Sequence, residues 1–264
     1  MILEPMTKEE IEKIFDSTAM KVLEFYIRRS LFSQPEILPG QEIQPIQIPK
    51  EHIEQWLVQA IGGEHVGGGS YPVDVIRERF GADAKMLSCK LTSAGRLADS
   101  ESGEASIAQK FSDAGNNLDQ LFDTKQYGKA LSEYIHIFKN KIESVVAERN
   151  LDEIYYFFIL REGVYLHLCG FKVNIEMIDS ISVLRHTDKN IWASNFISEK
   201  YGSVRLYKSK KRLELRLRPK ALQKDGYFIT FDTLYSVTTA NLREIVESDK
   251  LEKHINELVK KYYS

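Results

Sequence analysis

The segment 72–85 holds Pro72-Val73-Asp74, then eight residues, then Asp83-Ala84-Lys85. Two carboxylates a few ångströms apart repel each other and gain most by sharing a hard divalent cation, for which oxygen ligands are preferred. Magnesium is the expected guest. A lysine on the same face can hydrogen-bond a water and favour its deprotonation, while the cation neutralises charge developing on a phosphate. Together these are the parts for hydrolysing a phosphodiester. Whether they meet depends on strand pairing. Residues two apart on a strand share a face, so Asp83 and Lys85 project together while Ala82, Ala84 and Met86 turn the other way, toward a core. If the link is the four residues 77–80, Asp74 lies across from Asp83 and all three groups converge. A five-residue link puts Asp74 on the opposite face.

A second group of residues points to a polyanion. The run 205–220 carries Arg205, Lys208, Lys210, Lys211, Arg212, Arg216, Arg218 and Lys220 against a lone Glu214. Within it Arg212, Glu214, Arg216 and Arg218 alternate with Leu213, Leu215 and Leu217, giving one basic and one apolar strand face. A basic ribbon can lie along phosphates or enter the major groove, where arginine reads guanine edges. Lys208, Lys210, Lys211, Arg212, Arg216, Arg218 and Lys220 are therefore the candidate DNA contacts. The plainer reading is a solvated outer strand face.

Other chemistries find less support. With 38 acidic and 36 basic residues in 264, chance alone supplies about five acidic-x-basic triplets, so context must carry the motif. Asp123-Thr124-Lys125 has the same pattern in a polar stretch without a partner aspartate on a preceding strand, and is rejected. The glycine cluster 62–70 (GGEHVGGGS) lacks the lysine of a nucleotide-binding loop and precedes a strand instead of following one. Its glycines suit close approach of backbone to a phosphate, tight entry into the next strand, or a merely flexible loop. The six histidines, His65 near the site among them, form no H-x-x-x-H or H-E-x-x-H pair, and no G-x-S-x-G elbow is present.

The elements that must position these groups can be read from periodicity. Apolar residues from Ile11 to Tyr26 recur at helical spacing, with Thr7 and Glu10 forming a capping box, which predicts one helix over 7–29. Residues 33–50 hold four of the seven prolines, Pro35, Pro39, Pro45 and Pro49, and read as a connector. A helix over 51–61 ends at Gly62-Gly63. Strands follow over 71–76 and 81–87, then a long polar loop with short helical pieces over 91–126. A helix over 129–149 precedes strands 154–160 and 164–169, the first apolar throughout as a central strand would be. A hairpin over 204–207 and 212–218, a strand over 227–231 and a closing helix over 241–262 complete the chain. The expected architecture is α/β, a mixed central β-sheet flanked by helices. One domain over 1–264 is expected, with an N-terminal helical segment (about 1–32) and the connector packed on it.

These residues resemble the PD-(D/E)xK nuclease superfamily, and in particular type II restriction endonucleases. Pro72-Val73-Asp74 is similar to the first half of its motif and Asp83-Ala84-Lys85 to the second; Val73 between Pro and Asp, and Asp in place of Glu, depart from the commonest form. The resemblance implies a restriction endonuclease-like fold. It also implies that Asp74 and Asp83 bind the metal, Mg2+, and that Lys85 helps activate the attacking water. A helix before the first motif strand often adds an acidic residue in this family; Glu54 is the first candidate, with Glu51 and Glu64 behind it. The implied activity is magnesium-dependent, site-specific cleavage of double-stranded DNA by a homodimer. The alternatives are a repair or recombination nuclease of the same superfamily and a catalytically inactive DNA-binding module.

Composition bounds these expectations. A chain 43% hydrophobic with a formal charge of −2 excludes disordered and fibrous classes and a general polyanion sponge. Cys89 and Cys169 lack C-x-x-C spacing, so a reducing, cytoplasmic setting is expected. No apolar run approaches the roughly 20 residues of a membrane span.

Overall fold

The computed structural model describes residues 1–42, 46–66, 71–109, 117–232 and 238–263. The chain opens with β1 (Leu3–Pro5), α1 (Lys8–Ile14) and α2 (Ser17–Phe32). After the connector come α3 (Lys50–Ile61), β2 (Glu64–His65), β3 (Val75–Arg77), β4 (Phe80–Ser88) and β5 (Ala105–Gln109). The middle of the chain forms α4 (Leu118–Asp123), α5 (Tyr127–Arg149), β6 (Glu153–Glu162), β7 (Tyr165–Val173), β8 (Val183–His186) and β9 (Asn190–Ala193). It ends with β10 (Gly202–Tyr207), β11 (Arg212–Leu217), α6 (Pro219–Lys224), β12 (Ile229–Thr230), α7 (Leu242–Glu247) and α8 (Leu251–Tyr263).

Two sheets result. The first has the order β1-β7-β6-β4-β3-β2, with β12 also on β7; the second is β5-β11-β10-β9-β8. All pairs in the first are antiparallel except β4 and β6, which run parallel. A parallel pair needs a long crossover, and here β5, α4 and α5 supply it. The sheet is therefore mixed, with helices on its flanks, as its pattern predicts.

β6 explains the layering. Its residues alternate between two cores: Tyr155, Phe157 and Ile159 pack with α1, α2, α3 and α8. Ile154, Tyr156, Phe158 and Leu160 pack with α5 and the inner face of the second sheet. Both faces are covered, which is why the strand reads as apolar throughout. β6 and β7 meet at a two-residue turn, Gly163-Val164, where Gly163 takes φ 59°, a left-handed conformation that costs glycine nothing.

Five expectations differ in detail. The strand expected over 71–76 begins only at Val75. The helix over 7–29 is two, because Asp16 accepts hydrogen bonds from the Thr18 and Ala19 amides and starts α2 afresh; the Thr7–Glu10 capping box is present. The polar stretch 91–126 contains the strand β5. Only Ile229 and Thr230 of the expected strand 227–231 join β7. The closing helix breaks at Ser248 to Lys250, where Asp249 has φ 56°, and its Leu242, Leu251 and Ile255 are exposed. Among the described residues the connector has no helix before Lys50, and Gln34 clamps it by bonding both the amide and the carbonyl of Gln47; Pro45 lies outside the described residues. Among the described residues no helix is long and apolar enough to cross a membrane.

Candidate active site

The register of the β3–β4 hairpin decides the chemistry. Val75 pairs Ala82, Ile76 pairs Gly81 and Arg77 pairs Phe80. The turn is only Glu78-Arg79, with Glu78 at φ 53°, but the alignment is that of the four-residue link, so Asp74 comes to Asp83. The ladder stops at Val75. Asp74 sits just before it, its amide donating to the Ala82 carbonyl at 2.9 Å and its Oδ2 accepting the Ala84 amide at 2.7 Å. That bond holds the Asp74 carboxylate at β4, near enough to Asp83 for its charge to act on it. On the opposite face Ala82 and Ala84 are buried in the helical-side core, as the alternation requires.

Asp83 is 7% exposed. Lys85 Nζ lies 2.5 Å from its Oδ2, a charge pairing without hydrogen-bond alignment, since that oxygen has no directed donor. Burial pushes the Asp83 carboxyl up to about 7; Lys85 opposes this and Asp74 reinforces it. Burial pulls Lys85 down, but Asp83, Asp74 and Glu54 together more than offset it and hold the ammonium above its ordinary range. Tyr156, level with Asp83 on β6, is raised well above the usual phenol value by burial and then by the two aspartates. Lys85 Nζ stands 6.0 Å from the centre of its ring.

These groups line one cavity of about 700 Å3, with Glu54 of α3 on the same lining. Glu51 and Glu64, the other helix and loop candidates, are exposed and do not line it. Among the described residues no three acidic, histidine or cysteine side chains stand close enough to form a ready ligand set, so the core of the site is the Asp74–Asp83 pair with Glu54 farther along the wall. The opposite wall comes from the crossover and the second sheet: Lys141 of α5, Glu104, and Lys210, Arg212 and Glu214 at the start of β11.

The basic ribbon is thus split. Leu213, Leu215 and Leu217 are buried, as alternation predicts. On the other face Lys210 pairs with Glu104 and Glu214, and Arg216 with Glu104. Lys208 and Lys211 are held by Asp123 and Asp119 of α4, and Arg205 by Glu101. Asp123, from the rejected triplet, is accordingly an ion-pair partner. Arg212, Arg218 and Lys220 are exposed, and no carboxylate among the described residues pairs with them. Only Lys210 and Arg212 of the seven candidates reach the cavity. Lys141 and Tyr156 are lining residues that the motif gave no reason to name; the sole signal for Tyr156 was its place on an apolar central strand. The glycines at 67–69 lie outside the described residues.

Compared with family models, with curated proteins and with solved structures, the chain has no match.

Proposed function

We propose that the chain is a magnesium-dependent type II endonuclease of the PD-(D/E)xK kind, hydrolysing phosphodiester bonds in double-stranded DNA at a specific site. The observation that carries this reading is the convergence of Asp74, Asp83 and Lys85 on one cavity wall, with Glu54 on the same lining.

The donor set suits a hard cation: it is all oxygen, and its buried Asp83 Oδ2 accepts no aligned hydrogen bond among the described residues. Asp74 and Asp83 are the residues that would hold magnesium, with Glu54 available through water. When bound, the ion supplies positive charge to the scissile phosphate and acidifies water. The chain's own groups do the rest. Asp83 keeps its proton up to about pH 7, so it ionises when positive charge is brought to it. Lys85, held beside the pair, is placed to donate from Nζ to the attacking water or a phosphate oxygen. Arg212, an exposed residue of the cavity lining without an acidic partner among the described residues, is placed to grip a neighbouring phosphate.

A second reading, a DNA-binding module that does not cut, draws on one observation: Lys85 Nζ already stands against Asp83 Oδ2 at 2.5 Å. Digestion of a defined plasmid with magnesium, followed by mapping of the ends, separates the readings. Discrete fragments support the restriction-type enzyme, heterogeneous ends a repair or recombination nuclease, and uncut but bound plasmid the inactive module.

A further inference from the structure

Of the twelve large apolar side chains that stand exposed among the described residues, six lie in the last 22 described residues: Leu242 and Val246 on α7, and Leu251, Ile255, Val259 and Tyr263 on α8. Each is 40–53% exposed. The helix is not loosely placed. Its other side is fixed by a 2.8 Å contact between His254 Nε2 and Glu36, by Lys261 Nζ donating to Thr238 Oγ1 at 2.9 Å, and by Tyr262, which is buried edge-on against Phe32. The α8 residues recur every fourth position and form one continuous ridge along a docked helix. An apolar ridge of this kind on a docked helix marks an interaction surface.

Its flank identifies the partner. Beside the ridge, on the solvent side, runs a second row at the same spacing: Glu252, Asn256 and Lys260, all exposed. Neither Glu252 nor Lys260 has an ion-pair partner among the described residues, whereas Lys253 and Glu257 on the far side pair with each other. If two copies of α8 lie antiparallel about a two-fold axis at Asn256, each Glu252 faces the other copy's Lys260 and the two Asn256 amides face each other. In the same register the ridges interdigitate: counted in residues from the axis, Ile255 and Val259 of one copy sit at −1 and +3 and those of the other at +1 and −3, so side chains alternate in steps of two along the seam. A parallel arrangement puts glutamate on glutamate and lysine on lysine. We propose that this face docks a second copy of the chain, through antiparallel α8–α8 contact centred on Asn256. A two-fold contact of this type is self-complementary, as closed dimers require. The area is modest, so the dimer is a weak one.

The test is sedimentation equilibrium of the whole chain, without DNA, over a concentration series reaching on the order of 0.1 mM, the range where small interfaces show themselves. A reversible monomer–dimer equilibrium is expected. Ile255→Lys should weaken it at least tenfold while circular dichroism and the melting temperature stay unchanged, since Ile255 is 45% exposed and belongs to neither core. Glu252→Lys and Lys260→Glu should each weaken it, and the double variant should restore it, because the swap recreates both cross-pairs. A wild-type chain monomeric throughout, a dimer indifferent to Ile255→Lys, or single charge variants that the double variant does not rescue would each overturn the proposal.

Discussion

Asp83 is where burial, charge and chemistry meet most sharply. A carboxyl held near 7 in the folded chain but near 3.8 when unfolded binds more protons folded than unfolded between those values. Folded-state stability in the absence of metal therefore falls as pH rises from about 4 to about 7, then levels. Asp83→Asn removes the titration, and denaturant melts at a series of pH values should show a flatter profile for that variant. A cation must displace the same proton, so apparent magnesium affinity should rise about tenfold per pH unit below about 7 and flatten above it. Calorimetric titration in two buffers of different ionisation enthalpy counts the proton released. For catalysis, Asp74→Ala, Asp83→Ala and Lys85→Ala should each lower cleavage by about 10²–10⁴-fold or more while DNA binding persists. Wild-type cleavage by any of the three would remove that residue from the proposed mechanism. Calcium should support binding without cutting, since it accepts the same ligands with looser geometry.

β11 shows how one element can carry two kinds of positive charge. Arg212 is exposed and has no acidic partner among the described residues, while Arg216 is held against Glu104, with both partners about one-fifth exposed. Arg212→Ala should leave stability unchanged and lower the salt dependence of DNA binding by about one unit if it grips a phosphate. If it reads a guanine instead, its loss should cost roughly 1–3 kcal/mol chiefly on the preferred site. Arg216→Ala should do the reverse, destabilising the fold by about 1–3 kcal/mol because Glu104 loses a desolvated partner, with no change in salt slope. Binding titrations at several salt concentrations alongside urea melts distinguish the two arginines. Equal behaviour would mean that the ion pair does not set their roles.

Across the whole molecule, β6 joins the two cores through side chains adjacent in sequence. Phe157 belongs to the helical side and Phe158 to the side of the second sheet, and both are fully buried. Alanine at either should cost about 3–5 kcal/mol. Because the strand is shared, neither core should melt alone. The two tryptophans provide the readout: Trp56 reports the helical layer and Trp192 the second sheet. In single-tryptophan variants the urea transitions should coincide. Separate midpoints would divide the chain into two folding units.

What could be read without coordinates was local. The capping box at Thr7, the glycine stop of α3, the apolar run of β6 and the 3.6-residue stripe of α5 follow from short-range spacing, and each appears in the structure within a few residues. The Asp74/Asp83/Lys85 motif was legible for the same reason, since strand alternation alone puts Asp83 and Lys85 on one face. β5 was not, because a short edge strand of mostly small and polar residues, Ala105 to Gln109, has no strong pattern until β11 pairs with it. The hairpin register was equally undecided: four- and five-residue links suit the same residues, and only the pairing of Val75 with Ala82 brings Asp74 to Asp83. The fate of the basic ribbon lay further still from the sequence. Its partners, Glu101, Glu104, Asp119 and Asp123, are about 80–110 residues away in the chain. Alternation determines which side chains share a face, because it is a property of one strand's backbone; which charges are neutralised and which line the cavity is decided only when distant segments are packed together.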